Sequence, residues 1–367
     1  MRFIVFGDIH LGTYIGSVLD ETGLNGRLID GLKVWDEIEE YAVENNIKKV
    51  SFLGDRFRSS NPKGYIRDLA DEKLKRFATK FDFLCLVGNH DYYEKSSFYH
   101  SYGVAHIFKE NLPRLVMLDN PGNVVYDDVV FWGLPFGRKM QEFDFTSFDK
   151  DKCNILLFHD EVVGAKYSNG VLCRKGLFVD DLKRFDLVLG GHIHLAQEIP
   201  GCNGGFIGSV TQLKKDDSDC LRGWWDITIE NKHIEIKKIE SKAPKYILQE
   251  IKIDKGDEYK LFFQDKEWLS FLKGNYLILK ATGNKTILSS LNRKKIEREL
   301  IDKCELRFCT FELDMRKTYD FKMPELQKAK SILQEIEVIL DKWDLQNLNK
   351  EDLRDIGLQI SDEVDKS

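Results

Sequence analysis

Five of the eight histidines stand in short motifs that close apolar runs. Asp8 and His10 follow Phe3 to Phe6 in Gly7-Asp8-Ile9-His10, and Asp55 follows Val50 to Leu53 in Gly54-Asp55. Gly88-Asn89-His90-Asp91 follows Phe83 to Val87, His159 follows Ile155 to Phe158, and Gly191-His192-Ile193-His194 follows Leu187 to Leu189. A lone histidine is ordinarily a packed or solvated side chain, but so many acidic and imidazole groups in one recurring position are poorly explained by chance. Asp8 and His10 lie two apart at the end of an extended run, which sends both side chains to one side. Carboxylate, imidazole and amide oxygen together suit manganese, iron or zinc, whereas calcium takes oxygen alone and structural zinc favours thiolate. Asp8, His10, Asp55, Asn89, His159, His192 and His194 are too many donors for one ion. They divide well over two ions about 3.5 to 4 Å apart that share one carboxylate, an arrangement that fixes a phosphate and generates hydroxide near neutral pH. The chemistry to expect is hydrolysis of a phosphate ester, with manganese the first expectation and magnesium a partial substitute.

The motifs need a scaffold that brings strand ends together. Continuous apolar runs alternating with amphipathic stretches such as Leu28 to Val43 and Tyr65 to Ala78 predict buried strands and covering helices in a layered α/β architecture. In such sheets, sites form at the carboxyl ends of strands. Asn123 to Pro135 and Gly205 to Ile239 alternate instead, with turns at Asp127-Asp128 and Asn231-Lys232, which predicts antiparallel additions. A second α/β unit begins near Pro244, with strands at Ile247 to Ile253, Tyr276 to Ala281 and Leu306 to Leu313. Its helices are expected around Trp268 to Leu272 and, as one piece, from Ile287 to Asp302. After Pro324, the spacing of Leu326, Ala329, Leu333, Ile336, Leu340 and Trp343 predicts a helical seam, and Asn349 caps a second helix. This hairpin either folds back on its own chain or docks on a partner's helices.

Composition narrows the class. The 367 residues are too many for one small module, and 42% hydrophobic with 32% charged residues supports a folded core. Seven scattered cysteines without close pairs read as reduced thiols, and neither a signal peptide nor a membrane-length apolar run is expected. The formal charge of -6 argues against a protein that coats nucleic acid, although 245–322 carries 17 basic against 13 acidic residues. Arg293, Lys294, Lys295 and Arg298 form a candidate contact to a DNA backbone, the alternative being a solvated helix face.

The ordered set DxH, GD, GNHD, a single His and GHxH resembles the calcineurin-like metallophosphoesterases, and within them the SbcD-type nuclease subunits. GDIHLG at Gly7 to Gly12, Asn61-Pro62 after GD, and Gly205 to Leu213 with Gly223-Trp224 carry the closer resemblance. It implies an α/β/β/α sandwich over 1–243, a small α/β capping domain over 244–323 and a helical tail over 324–367. By the same resemblance, Asp8, His10 and His194 hold one metal, Asn89, His159 and His192 hold the other, and Asp55 bridges. His90 faces the scissile phosphate as general acid or transition-state stabiliser, and Asp91 either orients His90 or is structural. The implied activities are 3′-5′ exonuclease on double strands and endonuclease on single strands. The implied partners are DNA, a second copy of the chain paired through Tyr65 to Ala78 and Phe98 to Phe108, and an SbcC-type ABC ATPase whose coiled coil takes the tail. The implied location is the cytoplasm, at the nucleoid, or a host's cytoplasm if the source is viral. Where the family often has a histidine after GD, this chain has Arg58, which contacts DNA phosphate or is simply solvated. No GxxxxGK[ST] loop is present, so ATP hydrolysis would fall to the partner.

Two other readings stand beside this one. One is a phosphoesterase for nucleotides, cyclic nucleotides or phosphoproteins, although the Asp-Arg-Gly and GNHE of protein phosphatases are missing. The other is a scaffold that has lost catalysis, which the intact donor set opposes.

Overall fold

The computed structural model describes residues 1–92, 112–218 and 220–314. The expected pairing segment Phe98 to Phe108 and the expected helical hairpin from Pro324 to Ser367 lie outside them.

The chain opens with β1 (Arg2–Phe6), α1 (Gly26–Glu44), β2 (Lys49–Phe52), α2 (Gly64–Lys80), β3 (Asp82–Leu86) and β4 (Leu115–Leu118). It continues with β5 (Gly122–Tyr126), β6 (Val129–Leu134), β7 (Cys153–His159), α3 (Val179–Leu182) and β8 (Leu187–Gly191). Then follow β9 (Gln197–Glu198), β10 (Gly204–Phe206), β11 (Gly223–Glu230) and β12 (His233–Glu240). Two six-stranded sheets result, in the orders β12-β11-β1-β2-β3-β4 and β5-β6-β7-β8-β10-β9. The pairs β1-β2, β2-β3 and β3-β4 are parallel, as are β6-β7, β7-β8 and β8-β10. Antiparallel hairpins β5-β6 and β11-β12 add the alternating segments to the edges.

Side-chain alternation along β1 explains the layering. Phe3 and Val5 point between the sheets, onto Phe131, Ile155, Leu157 and Leu189. Ile4 and Phe6 point the other way, onto Leu28, Trp35, Phe52 and Phe77 under α1 and α2. A strand buried on both faces must be apolar throughout, which is why these runs are continuous. The outer face of the second sheet is covered by α3 and loops through Trp132, Phe143, Phe158 and Phe185.

The unit after Pro244 contains β13 (Tyr246–Ile253), α4 (Lys266–Leu272), β14 (Tyr276–Gly283), α5 (Lys285–Ser290), α6 (Arg293–Cys304) and β15 (Phe308–Leu313). Its three strands are parallel in the order β13-β14-β15 and enclose their own core around Leu277, Leu279, Leu288 and Leu300. The single helix expected from Ile287 to Asp302 is two helices. The Asn292 side chain accepts from Lys295 N at 3.1 Å and caps α6, which ends the helical periodicity that the apolar spacing alone had carried through. This unit is bound to the sandwich by polar contacts. Arg27 donates to Tyr246 Oη at 2.7 Å and lies 3.8 Å from the Tyr14 ring centre, and Tyr276 Oη donates to Asp30 at 2.8 Å.

All seven cysteines are free thiols, and no described helix is long and apolar enough to cross a membrane.

Candidate metal centre

The donors converge because turns at the carboxyl ends of β1, β2, β3, β7 and β8 pack against one another. Asp8 N donates to Gly54 O at 3.0 Å and His10 N to Asp55 O at 3.1 Å, which ties the first two turns together. Asp8 and His10 do share one side, but not by strand alternation. Their φ angles of 51° and 49° are left-handed, so the extended run has ended and two strained residues swing both side chains inward. Asp55 and His192 are left-handed as well, at 56° and 77°. Such conformations cost of order 1–3 kcal/mol each and persist only where the surroundings over-determine them. Close approach also requires glycine at two positions. A Cβ on Gly88 would lie 2.3 Å from Asp55 Oδ1, and one on Gly191 would lie 2.7 Å from His159 Nδ1.

The side chains form two groups. In the first, His10 Nε2 and His194 Nε2 are 3.1 Å apart, and each is 3.9 Å from Asp8 Oδ1. In the second, Asn89 Oδ1 lies 2.8 Å from His192 Nδ1 and 3.1 Å from His159 Nε2. Asp55 stands between them, with Oδ2 at 3.4 Å from His10 Nε2 and Oδ1 at 3.4 Å from His159 Nε2. Donors about 2.0–2.2 Å from one cation and at tetrahedral or octahedral angles stand about 3 Å from each other, so the spacings fit two cations sharing Asp55. Two imidazole nitrogens facing each other at that distance need a proton or a cation between them.

Electrostatics agree with this. Burial pushes the Asp8 carboxyl up to about 8 and the His10 and His194 imidazoles down to about 3, and His192 falls to about 4 for the same reason. Neutral imidazoles with open lone pairs are what ligation requires. Burial alone would raise Asp55, but the His159 and His10 rings facing it hold it well below the carboxylate range. His159 shows the converse: burial lowers it, and Asp55 more than compensates, to about 10. Its Nδ1 donates to Leu53 O at 2.5 Å, which directs Nε2 at the donor cluster.

His90 sits at the edge, its ring centre 4.8 Å from that of His10 and its backbone N donating to Asp55 Oδ1 at 2.8 Å. Its ring is oriented by the Arg58 carbonyl, which accepts from Nδ1 at 2.8 Å. Asp91 therefore does not orient His90. Its fully buried carboxylate accepts from Gly88 N at 2.9 Å, Asp55 N at 2.8 Å and Arg56 N at 3.0 Å, which pins the GNHD turn to the GD turn. The Arg58 guanidinium donates to Thr13 O at 3.0 Å and lies over Tyr14, 4.2 Å from the ring centre.

Two cavities open onto the donors. One of about 530 Å³ runs from His10, His90 and His194 past Tyr14 and Arg58 to Phe308 on β15. The other, of about 330 Å³, is bounded by Asp55, Asn89, His192, Glu161 and Tyr167. His90, His194 and Lys214 border both. Arg293, Lys294, Lys295 and Arg298 are exposed on α6 and line neither. Glu161, Tyr167 and Lys214 were not singled out from the sequence. Glu161 could have been noticed two positions after His159, whereas Lys214 in Leu213-Lys214-Lys215 carries no local signal.

Residues 1–196 match the family model described as calcineurin-like phosphoesterase. The chain is 22% identical over 326 residues to the SbcD component of the nuclease SbcCD from Staphylococcus epidermidis, covering 80% of this chain and 82% of that one. Among solved structures it resembles a dimetal phosphatase from Danio rerio, at 11% identity and a TM-score of 0.43 over 65% of this chain and 97% of that one. It also resembles the phosphoesterase Yfce from E. coli, at 15% identity and a TM-score of 0.32 over 65% and 100% of the two chains. With the family model covering more than half of its length and every motif of the ordered set at the donor cluster, the chain belongs to the calcineurin-like phosphoesterases.

Proposed function

We propose that this phosphoesterase is a DNA nuclease, cleaving phosphodiesters as the catalytic component of an assembly with an ABC-type ATPase. The observation that carries the phosphodiester reading is the pair of cavities meeting at His90, His194 and Lys214. A phosphomonoester has one organic arm and needs one cavity, whereas a diester in the middle of a chain has two and fills both. The name of the Staphylococcus epidermidis relative, a component of the nuclease SbcCD, agrees with that reading and suggests the ATPase partner.

Asp8, His10 and His194 would hold one divalent cation and Asn89, His159 and His192 the other, with Asp55 between them; manganese is the expected metal. Two such cations, when bound, neutralise the phosphate oxygens and supply hydroxide near neutral pH. The chain's own residues do the rest. His90, fixed through Nδ1 by the Arg58 carbonyl, presents Nε2 to the phosphate and either protonates the departing oxygen or donates a hydrogen bond to it. Asp91 keeps the two turns carrying Asp55 and His90 at a fixed separation. In the larger proposal, 1–243 is the nuclease domain, 244–323 caps it, and 324–367 binds the ATPase coiled coil. The nuclease domains pair as a homodimer in the cytoplasm.

The test is a DNA assay. With manganese, the protein is expected to release nucleotides from the 3′ ends of duplex DNA and to cut single strands. His90→Ser should lower the rate by about 10²–10⁴-fold while leaving metal uptake intact. Asp55→Ala should lose both activity and metal. Efficient hydrolysis of phosphomonoesters with DNA left whole would overturn the nuclease reading in favour of a small-substrate phosphoesterase.

A further inference from the structure

We propose that Glu161 is a positioning residue for His192. Its carboxylate, fixed by Tyr167, accepts the Nε2–H of the His192 ring and keeps Nδ1 as the nitrogen that faces the cation. The inference rests on the dinuclear reading above and deepens it.

His192 is placed differently from the other imidazoles. His10, His159 and His194 turn Nε2 to the donor cluster, whereas His192 turns Nδ1 to it, 2.8 Å from Asn89 Oδ1. Its Nε2 therefore points outward, and the nearest acidic oxygen is Glu161 Oε1 at 3.9 Å. The remote nitrogens of His159 and His90 are each met by a backbone carbonyl, of Leu53 and Arg58. Among the described residues, no carbonyl serves His192 in that way. A ligating imidazole whose other N–H finds no acceptor is free to change tautomer and to rotate, and both weaken ligation. A glutamate on the outer side removes that freedom, and its charge makes the ring a stronger donor.

The surrounding chain is built to hold Glu161 there. Its carbonyl accepts from Leu177 N at 2.8 Å, beside a bridge between Val162 and Leu177. Gly176 lies against it at φ 112°, where a Cβ would come within 2.2 Å of the Glu161 carbonyl oxygen. From this point the chain turns out and back in a small hairpin, with Tyr167 N donating to Val171 O at 2.9 Å and Gly170 N to Tyr167 O at 2.8 Å. The hairpin returns Tyr167 Oη to donate to Glu161 Oε1 at 2.6 Å. The 3.9 Å gap to His192 is less than an ångström beyond a hydrogen bond. Rotation of the glutamate side chain, which is 29% exposed, closes it.

The experiment is a calorimetric titration of the metal-stripped full-length protein with manganese chloride, beside thermal unfolding without metal. The wild type is expected to fill two sites. Glu161→Ala should weaken one of them by about 10–100-fold and leave the other as it was. Glu161→Gln should recover most of the loss, because its amide oxygen still accepts, and Tyr167→Phe should fall in between. The metal-free unfolding midpoint should be the same in all four proteins. Two wild-type affinities in Glu161→Ala would overturn the inference while leaving the dinuclear reading intact. A lowered metal-free midpoint with no advantage of Gln over Ala would also overturn it, as a merely structural role. A wild type that takes up no manganese would remove the dinuclear reading and the inference with it.

Discussion

Asp55 is the residue on which the site turns, because each of its oxygens faces a different donor set across 3.4 Å. The proton balance follows. In the metal-free protein, Asp55 holds a proton on His159 by raising that imidazole to about 10, and burial raises Asp8 to about 8. Both groups must lose their protons to bind a cation, so protons compete with metal at every pH below those values. Manganese affinity should therefore rise as pH is raised from about 6 towards 8, with protons released on binding. Calorimetry in buffers of differing ionisation enthalpy measures this, and a pH-independent affinity without proton release would contradict it. At this scale the sequence was informative about residue type and poor about geometry. The donors were legible because several short motifs recur after apolar runs. The left-handed Asp8 and His10, the Arg58 carbonyl on His90 and the Glu161 carboxylate beside His192 were not. Each depends on a turn's backbone or on a contact between segments far apart in the chain.

At the scale of elements, the turns hold their strained geometry because the strands beneath them cannot move. Trp35 on α1 is fully buried, with its ring centre 5.1 Å from that of Phe6 on β1 and 5.0 Å from that of Phe77 on α2. Phe6 lies two residues before Asp8, so packing in this layer sets the position of the first ligand. Trp35→Ala should destabilise the protein by about 3–5 kcal/mol, read from denaturant unfolding, and should weaken manganese binding as well. Undiminished stability would mean that α1 does not brace the site. The strands and helices were legible here because full burial demands unbroken apolar runs and half-burial demands a regular period. The division of one expected helix at Asn292 was not, since the cap is a single side chain inside an otherwise continuous apolar spacing.

For the whole molecule, the sandwich supplies the ligands and the unit after Pro244 supplies one wall of the larger cavity through Phe308. Hydrogen bonds from Arg27 and Tyr276 join the two, so the β14-β15 sheet can govern what reaches the cations without contributing a ligand. Removing residues 324–367 should leave manganese binding intact and abolish co-purification with the ATPase; retained association would put the docking surface elsewhere. The dinuclear centre is tested most directly by diffraction from crystals soaked in manganese, using the metal's anomalous signal. Two peaks are expected about 3.5–4 Å apart on either side of the Asp55 carboxylate, one among Asp8, His10 and His194 and the other among Asn89, His159 and His192. A single peak, or none, at saturating manganese would contradict it.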